Sequence, residues 1–204
     1  MYQWRGLTDD ERKALLKHRS ECGHPMHSPP HYIGESGYYH LSAACYEHRP
    51  WIGVSSERMG DFSRALLEIL MAAGAACDAW CVLPNHYHGL IHTKDLEAVL
   101  GALKLLHGRS SFFWNGEENR RGRSVWSSSS NRIIRSEGHY WATMNYVHHN
   151  AVHHGYVEKW QDWPYTSAHG YLEQVGKEEA LRRWKEYPVL DYGKGWDEPN
   201  MHIT

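Results

Sequence analysis

The sequence contains no long apolar run and almost no excess charge of either sign. No stretch approaches the about 18 consecutive apolar residues of a membrane-spanning helix, so we expect a soluble protein with no membrane contact. The formal net charge of −2 excludes a protein that coats nucleic acid through bulk charge, because neutralising phosphates requires clustered lysines and arginines. With 204 residues, 41% of them hydrophobic, the chain is long enough for one domain with a core and too short for two.

Cysteine is scarce, with Cys22, Cys45, Cys77 and Cys81 alone, and no CxxC pair occurs. Since no signal peptide is recognised ahead of them, the four cysteines indicate a reducing cytoplasm rather than a disulfide scaffold. A zinc protein that uses Cys77, Cys81 and some of the histidines is an alternative. The missing CxxC spacing disfavours it, because closed tetrahedral zinc sites usually show such pairs.

Phenylalanine is rare, whereas tyrosine and tryptophan are abundant: 3 residues against 13 and 10. Tyrosine and tryptophan join a large apolar ring to a polar tip, so they fill cores and also stack on nucleic acid bases. Core packing is the alternative for any single aromatic residue. The candidates for base stacking are Tyr38, Tyr39, Phe112, Phe113 and Trp114.

Positive charge is concentrated in one segment despite the acidic total. Residues 100–136 contain seven basic side chains and two acidic ones, a local net charge of +5. Such a patch can contact phosphates, although a solvated loop is the alternative. The candidates for DNA contact are Arg120, Arg121, Arg123, Arg132 and Arg135.

Hydrophobic periodicity predicts an α+β domain. The predicted strands are residues 37–45, 76–83 and 86–92, and the predicted helices are residues 12–18, 57–73, 96–106, 137–153 and 177–185. The order β, α, β, β, α in the middle of the chain predicts a ferredoxin-like antiparallel sheet with two helices on one face. Residues 114–130 show no hydrophobic period and are predicted to form a polar loop.

A histidine pair, His86 and His88, lies in the third predicted strand. Because side chains alternate along a strand, both imidazoles point to one face and Tyr87 to the other. The pair can therefore reach one metal ion, although two surface histidines are the alternative.

A catalytic metal site also needs a third ligand. Tyr146 and Asn150 share one face of the helix at 137–153, because residues four apart lie one turn from each other. If that face packs beside the histidine strand, Asn150 can offer its carbonyl oxygen to the metal. Periodicity leaves other third ligands open, namely His149, His139 and His153.

Several motifs in order resemble one known family. They are LPNHYH at 83–88, IIR at 133–135, NYVHHNAV at 145–152, GYV at 155–157 and WPYTS at 163–167. Together they resemble the Y1 transposases of the HUH superfamily, and within them the transposases associated with repetitive extragenic palindromes (REPs). The resemblance covers roughly residues 30–171, so we divide the chain into an extension at 1–30, an HUH transposase domain at 31–171 and a tail at 172–204.

The resemblance implies a fold, a reaction and a set of site residues. It implies the HUH endonuclease fold, with His86 and His88 as ligands of Mg²⁺ or Mn²⁺, Asn150 at the third-ligand position and Tyr146 as nucleophile. The expected substrate is single-stranded DNA that carries a REP-like hairpin, cut and rejoined through a 5′-phosphotyrosine. A monomer in the bacterial cytoplasm, associated with the nucleoid, is expected, with a dimer as the alternative. A domesticated regulator that binds the hairpin without cutting it is the second functional hypothesis.

The sequence departs from the family pattern at two places. Ala151 stands where the family usually has proline, and since the residue before a proline avoids the α region, Asn150 is here expected to lie inside a continuous helix. Ser127 to Ser130 replace aromatic and charged residues that precede the IIR motif in the family. DNA contacts expected from that loop are thereby placed in doubt.

Overall fold

A computed structural model describes residues 36–127, 129–190, 192 and 193, together with positions 8, 10, 13, 14 and 17. The chain divides into two compact units, residues 1–33 and 34–204, and the strands and helices that carry the candidate site belong to the second unit. The predicted helix at 12–18 lies largely outside the described residues. Among the described helices, none combines the length and the apolar character that a membrane crossing requires.

The sheet has four antiparallel strands in the order β2-β3-β1-β4. Strand β1 (Gly37–Ala44) pairs with β3 (His86–Thr93) on one side and with β4 (Ser130–Ile133) on the other, and β2 (Ala76–Val82) pairs with β3. With one helix between β1 and β2 and another between β3 and β4, this order confirms the predicted ferredoxin-like α+β fold. Strand β4 was not predicted, because four residues with a single apolar side chain show no period.

Two helices cover one face of the sheet, as predicted. Helix α1 (Ser56–Ala72) is capped by Ser55, whose side chain accepts a hydrogen bond from the Arg58 amide. Asp95 caps α2 (Leu96–Glu117) in the same way, by accepting from the Ala98 amide. Helix α2 continues past residue 106 and through Trp114, so the loop is shorter than predicted. The large buried side chains between this face and the helices include Tyr39, Leu41, Phe62, Leu66, Tyr87, Ile91, Leu103 and Trp114.

The opposite face is covered by α3 (Glu137–His153), whose bounds agree with the prediction. The side chain of Ser136 caps its first turn, and the helix passes through Ala151 without interruption, so Asn150 lies inside the helix as expected. Helices α4 (Ala168–Val175) and α5 (Lys177–Glu186) follow, and α5 packs against α3. Helix α4 was not predicted. The core on this face contains Ala79, Cys81, Leu83, Leu90, Met144, Tyr146, Val147 and Ala151.

Candidate active site

The histidine pair lies on the α3 face of the sheet, near the middle of the fold. His86 and His88 are 1% and 0% exposed, and their ring centroids are 5.1 Å apart. Tyr87 points to the opposite face, where its ring contacts Phe62. The alternation predicted for this strand is therefore present, and the pair is buried rather than on the surface.

Asn85, in the turn between β2 and β3, fixes the orientation of His86. The backbone oxygen of Asn85 accepts a hydrogen bond from the Cys45 amide at 2.7 Å, and its side-chain amide donates to the backbone oxygen of His48. Its Oδ1 accepts from His86 Nδ1 at 2.8 Å, because an amide oxygen has only lone pairs. In the neutral imidazole, Nε2 of His86 therefore carries a lone pair.

Asn150 brings a second acceptor to the same point. Its Oδ1 lies 3.1 Å from His86 Nε2, and the residue is fully buried. Two groups with lone pairs repel each other at this distance unless a cation or a proton lies between them. The Nδ2 of Asn150 has no hydrogen-bond partner among the described residues, so no contact there holds the amide in place.

His40, on β1, is a site residue that the sequence reasoning missed. Its Nε2 lies 3.1 Å from Nδ1 of His88, and it is 2% exposed. In the antiparallel pairing His40 stands opposite Leu90 and diagonal to His88. His40 thus holds His88 from the neighbouring strand through one of the two ring nitrogens of His88. The signal available from sequence was a histidine in the middle of a predicted strand.

Tyr146 completes the cluster from α3. Its ring centroid lies 5.1 Å from that of His88 and 5.7 Å from that of His40, and the residue is 4% exposed. The ring of Tyr192 lies at 5.4 Å, and a Cβ added at Gly193 would overlap the Tyr146 ring. Tyr192 and Gly193 therefore cover the hydroxyl-bearing side chain that the resemblance makes the nucleophile.

This donor set fits a divalent metal ion. Ligand atoms on neighbouring vertices of an octahedron with bonds of about 2.1 Å lie about 3 Å apart, which matches the 3.1 Å between His86 Nε2 and Asn150 Oδ1. The lone-pair conflict between these two atoms would be relieved by a cation. His88 lies beside them, with its second ring nitrogen held by His40 as ligating histidines commonly are.

The zinc alternative has no site in the described part of the chain. No group of three or more histidine, cysteine or acidic side chains there is arranged to hold a metal. A bulge in β2 between Cys77 and Ala79 sends Cys77 and Cys81 to opposite faces of the sheet. Burial also raises the pKa of the Cys81 thiol to about 12, which opposes the thiolate that zinc requires.

The other histidines considered as third ligands point elsewhere. His149 packs its ring against Trp184 at 4.8 Å, and Nε2 of His139 lies 3.4 Å from the Tyr192 hydroxyl. His153 is exposed and contacts His154. The ring of His154, which was not considered, lies 4.8 Å from that of His86.

Three of the candidates for DNA contact lie on the side of the sheet that carries the cluster. Tyr38, 40% exposed, shares a strand face with His40, and Arg132 stands opposite His40 in the pairing of β1 with β4. Arg135 is exposed just before α3. A polar surface of one aromatic and two basic side chains thus borders the buried cluster.

The arginines of the α2–β4 loop do not form one set. Arg120 is exposed and forms no ion pair with another described residue. Arg121 is exposed with its guanidinium 4.1 Å above the Phe112 ring. Arg123 instead bonds Glu118 at 2.7 Å and lies over the Trp51 ring, so we remove it from the candidates for phosphate contact.

Two of the predicted base-stacking residues are core residues. Trp114 is 7% exposed and packs against Phe62 and Trp126, and Tyr39 is 2% exposed. The predictions for both were wrong, because their helix and strand positions face the layer between α1, α2 and the sheet. Phe112 and Phe113 are each 62% exposed and stay candidates.

Known proteins resemble this chain in sequence and in structure. No protein-family model matches it. A Haemophilus influenzae protein provisionally named as a REP-associated tyrosine transposase is 28% identical over 102 residues. The match covers 45% of this chain and 57% of that protein, so this chain spans little more than half of the relative's length.

Matches to solved structures cover a larger share of this chain. A REP-associated tyrosine transposase bound to a REP hairpin is 18% identical, with a TM-score of 0.56 over 70% of this chain and 82% of its own. A Deinococcus radiodurans protein provisionally assigned as a transposase is 19% identical, and the match covers 64% of this chain and 95% of that protein. Its TM-score of 0.41 is too low to support an argument. The predicted resemblance is therefore confirmed: the chain is similar in sequence to a REP-associated tyrosine transposase and shares the fold of that group.

Proposed function

We propose that the protein is a single-strand DNA nuclease and strand transferase that acts beside a hairpin through a covalent bond to Tyr146. The observation that carries the proposal is the meeting of Tyr146, His86, His88 and Asn150 in one buried cluster. His86 and Asn150 are 64 positions apart in the chain, yet the Tyr146 and His88 ring centroids are 5.1 Å apart. One chain supplies the whole cluster, which supports a monomer as the active unit.

The reaction follows from the chemistry of these side chains. The Tyr146 oxygen attacks the phosphorus of the scissile phosphodiester, the bond from phosphorus to the 3′ oxygen breaks, and that oxygen leaves as a 3′-hydroxyl after taking a proton. The product is a 5′-phosphotyrosine. A 3′-hydroxyl of another strand can then attack the same phosphorus and release Tyr146, which joins the strands without an external energy source.

The Tyr146 proton has to be removed for the attack. A tyrosine with an ordinary pKa near 10 is only about 0.1% ionised at pH 7. The ionisable rings beside Tyr146 are those of His88, Tyr192 and His40. Because His88 is assigned to the metal, we assign proton transfer to His40. His40 contacts both His88 and Tyr146, and it is the residue best placed to relay the proton away.

His86, His88 and Asn150 would hold the divalent ion, Mg²⁺ or Mn²⁺, through two imidazole nitrogens and an amide oxygen. When bound, the ion would polarise the scissile phosphate and offset the negative charge that builds on its oxygens. The protein's own contribution is to orient the two imidazoles: Asn85 orients His86 and His40 orients His88.

Hairpin DNA is the proposed substrate for two reasons. The structural relative is bound to a REP hairpin, and the rim of this site presents Tyr38, Arg132 and Arg135, which suit bases and phosphates. The Tyr192–Gly193 segment must move before DNA reaches Tyr146, since both residues lie against its ring.

A cleavage assay tests the proposal. The substrate is a labelled hairpin oligonucleotide with single-stranded flanks, incubated with the full chain in the presence of Mn²⁺ or Mg²⁺. We expect strand cleavage and a protein–DNA adduct that survives a denaturing gel. Tight hairpin binding with neither product would support the regulator that binds without cutting, and would reject the transferase.

Replacing Arg120 and Arg121 together with alanine should weaken binding to all single strands alike. Phosphate contacts position a strand without reading its sequence, and two lost contacts should flatten the slope of log affinity against log salt by about 1.4. The matched control is Arg123→Ala, which should leave that slope unchanged while lowering the free energy of unfolding by about 1–3 kcal/mol through lost bonds to Glu118 and Asn115. An unchanged slope in the double variant would show that the loop is a solvated surface that does not contact phosphates.

Replacing His40 with phenylalanine should weaken Mn²⁺ binding by about 10- to 100-fold, the usual effect of losing a group that orients a metal ligand. The change keeps a flat aromatic ring at this position, but His88 loses its 3.1 Å partner. Calorimetric titration with Mn²⁺ measures the change. His40→Gln, which retains a hydrogen-bonding side chain, should recover part of the affinity, and equal affinity in all three proteins would contradict the role.

A further inference from the structure

A cavity of about 420 Å³ lies on the outer side of α3, between that helix, the segment around Trp160, and helices α4 and α5. Its volume falls within the range of about 300–1,000 Å³ that small-molecule sites occupy. None of the residues assigned to cleavage lines it. The cavity is therefore separate from the cluster around Tyr146.

The walls of the cavity are rich in flat rings. His148 and Trp160 lie nearly parallel, with centroids 5.7 Å apart and an interplanar angle of 18°. On the α5 side Trp184 packs against His149 at 4.8 Å, and Tyr171 contacts His148 at 5.0 Å. Such surfaces favour a flat aromatic ligand over an aliphatic one.

His148 adds a polar group that has no partner in the described structure. It is 2% exposed, its Nε2 bonds the Ser167 hydroxyl at 2.9 Å, and its Nδ1 is buried with no hydrogen-bond partner among the described residues. An unsatisfied buried nitrogen costs free energy that a ligand can recover. With Nε2 engaged by Ser167, Nδ1 is the ring nitrogen of His148 that remains for a further hydrogen bond.

The edge of the cavity carries a positive charge. Lys177, at the start of α5, lines the cavity, is exposed and forms no ion pair with another described residue. Arg182 and Arg183, farther along α5, are neutralised by Glu179 and Glu186. Lys177 is thus the cation at this edge best placed to meet an anionic group.

The cavity also adjoins the proposed nucleophile along the helix. Asn145, which lines the cavity, immediately precedes Tyr146, so the two side chains project about 100° apart around α3. The Asn145 amide donates to the backbone oxygen of Tyr187 at 2.8 Å, which ties the end of α5 to α3. The wall of the cavity and the proposed nucleophile are therefore carried by neighbouring residues of one helix.

We infer that this cavity binds one unpaired nucleobase of the single strand flanking the hairpin, by stacking on Trp160 and Trp184, hydrogen bonding to His148 and pairing its phosphate with Lys177. The identity of the strand rests on the proposed function. A base has two properties that match the cavity: a flat π face, and an edge of hydrogen-bond donors and acceptors. The recess would fix the position of the cut relative to the hairpin.

The test places 2-aminopurine, a fluorescent base, at each flanking position of the hairpin oligonucleotide in turn. We expect one position to be strongly quenched by stacking in the parent protein, and the quenching to be relieved in Trp184→Leu. Removing the base at that position should weaken binding to the parent by about tenfold and should leave Trp184→Leu unaffected. Trp141→Leu is the matched control, because Trp141 lies on α3 outside the cavity.

A second variant guards against misfolding of the first. Leu181 lines the cavity and is 52% exposed, so Leu181→Trp should fill the recess without disturbing the core, and it should also relieve the quenching. Two results would overturn the inference and leave the proposed function intact. One is hairpin binding that does not depend on the base at any flanking position. The other is equal base dependence in the parent, Trp184→Leu and Leu181→Trp.

If the parent does not bind the hairpin at all, the proposed function fails and the cavity is tested alone. Titration with deoxyadenosine and thymidine monophosphates, followed by tryptophan emission, should then show saturable binding in the parent that is lost in Leu181→Trp. Absence of such binding would overturn the inference as well.

Discussion

Replacing Tyr146 with phenylalanine should abolish strand cleavage, a fall of roughly 10⁴-fold or more in rate, and should remove the covalent adduct. The change deletes one oxygen and keeps the ring, whose contacts with His40, His88 and Tyr192 hold this face of α3 in place. Hairpin affinity should therefore stay close to that of the parent. Gel mobility for binding and a denaturing gel for the adduct measure the two effects separately.

The control for this change is Tyr140→Phe on the same helix. The Tyr140 hydroxyl donates to Asp78 at 2.7 Å, so its loss should lower the free energy of unfolding by about 1–3 kcal/mol and leave cleavage unchanged. Tyr192, whose ring lies beside that of Tyr146, is the tyrosine best placed to substitute as nucleophile. An adduct that persists in Tyr146→Phe and maps to Tyr192 would contradict the assignment of Tyr146.

The fold could be predicted wherever a hydrophobic period extends over many residues. Helix α3 has its predicted bounds because Ser136 caps its first turn and a glycine follows its end at position 155. Strand β4 escaped prediction because its pairing with β1, rather than any pattern of its own, makes it a strand. Trp114 was assigned to a loop because polar residues follow it in sequence, whereas α2 continues through it and its ring packs against Phe62 and Trp126.

The residue types of the candidate site could be predicted from the sequence, but the residues that orient them could not. Strand alternation placed His86 and His88 on one face, and helical spacing placed Tyr146 and Asn150 together. The contributions of His40 and Asn85 depend on strand register and turn geometry, which no local pattern specifies. Tyr192 lies 46 positions beyond Tyr146 in the chain, and only the folded tail brings it to the site.

Replacing His86 or His88 with alanine should abolish cleavage and reduce Mn²⁺ affinity by more than the about 10- to 100-fold expected for loss of an orienting group. Each change removes a donor nitrogen from a set of three, and in His86→Ala it also removes the partner of Asn150 Oδ1. Paramagnetic resonance of free Mn²⁺ reports the binding loss without reference to activity. Far-ultraviolet circular dichroism checks that the sheet is intact.

The matched control is His92→Ala, which changes a histidine on the same strand and the same face, four positions beyond His88. His92 packs against the Tyr38 ring at 4.7 Å, away from Asn150, so its loss should leave Mn²⁺ affinity unchanged and cleavage largely intact. If His86 and His88 serve as ligands, the parent should also lose cleavage in excess EDTA and regain it with added Mn²⁺. Undiminished cleavage in EDTA, or Mn²⁺ binding that survives both alanine changes, would show that the buried pair orders the site by hydrogen bonding alone.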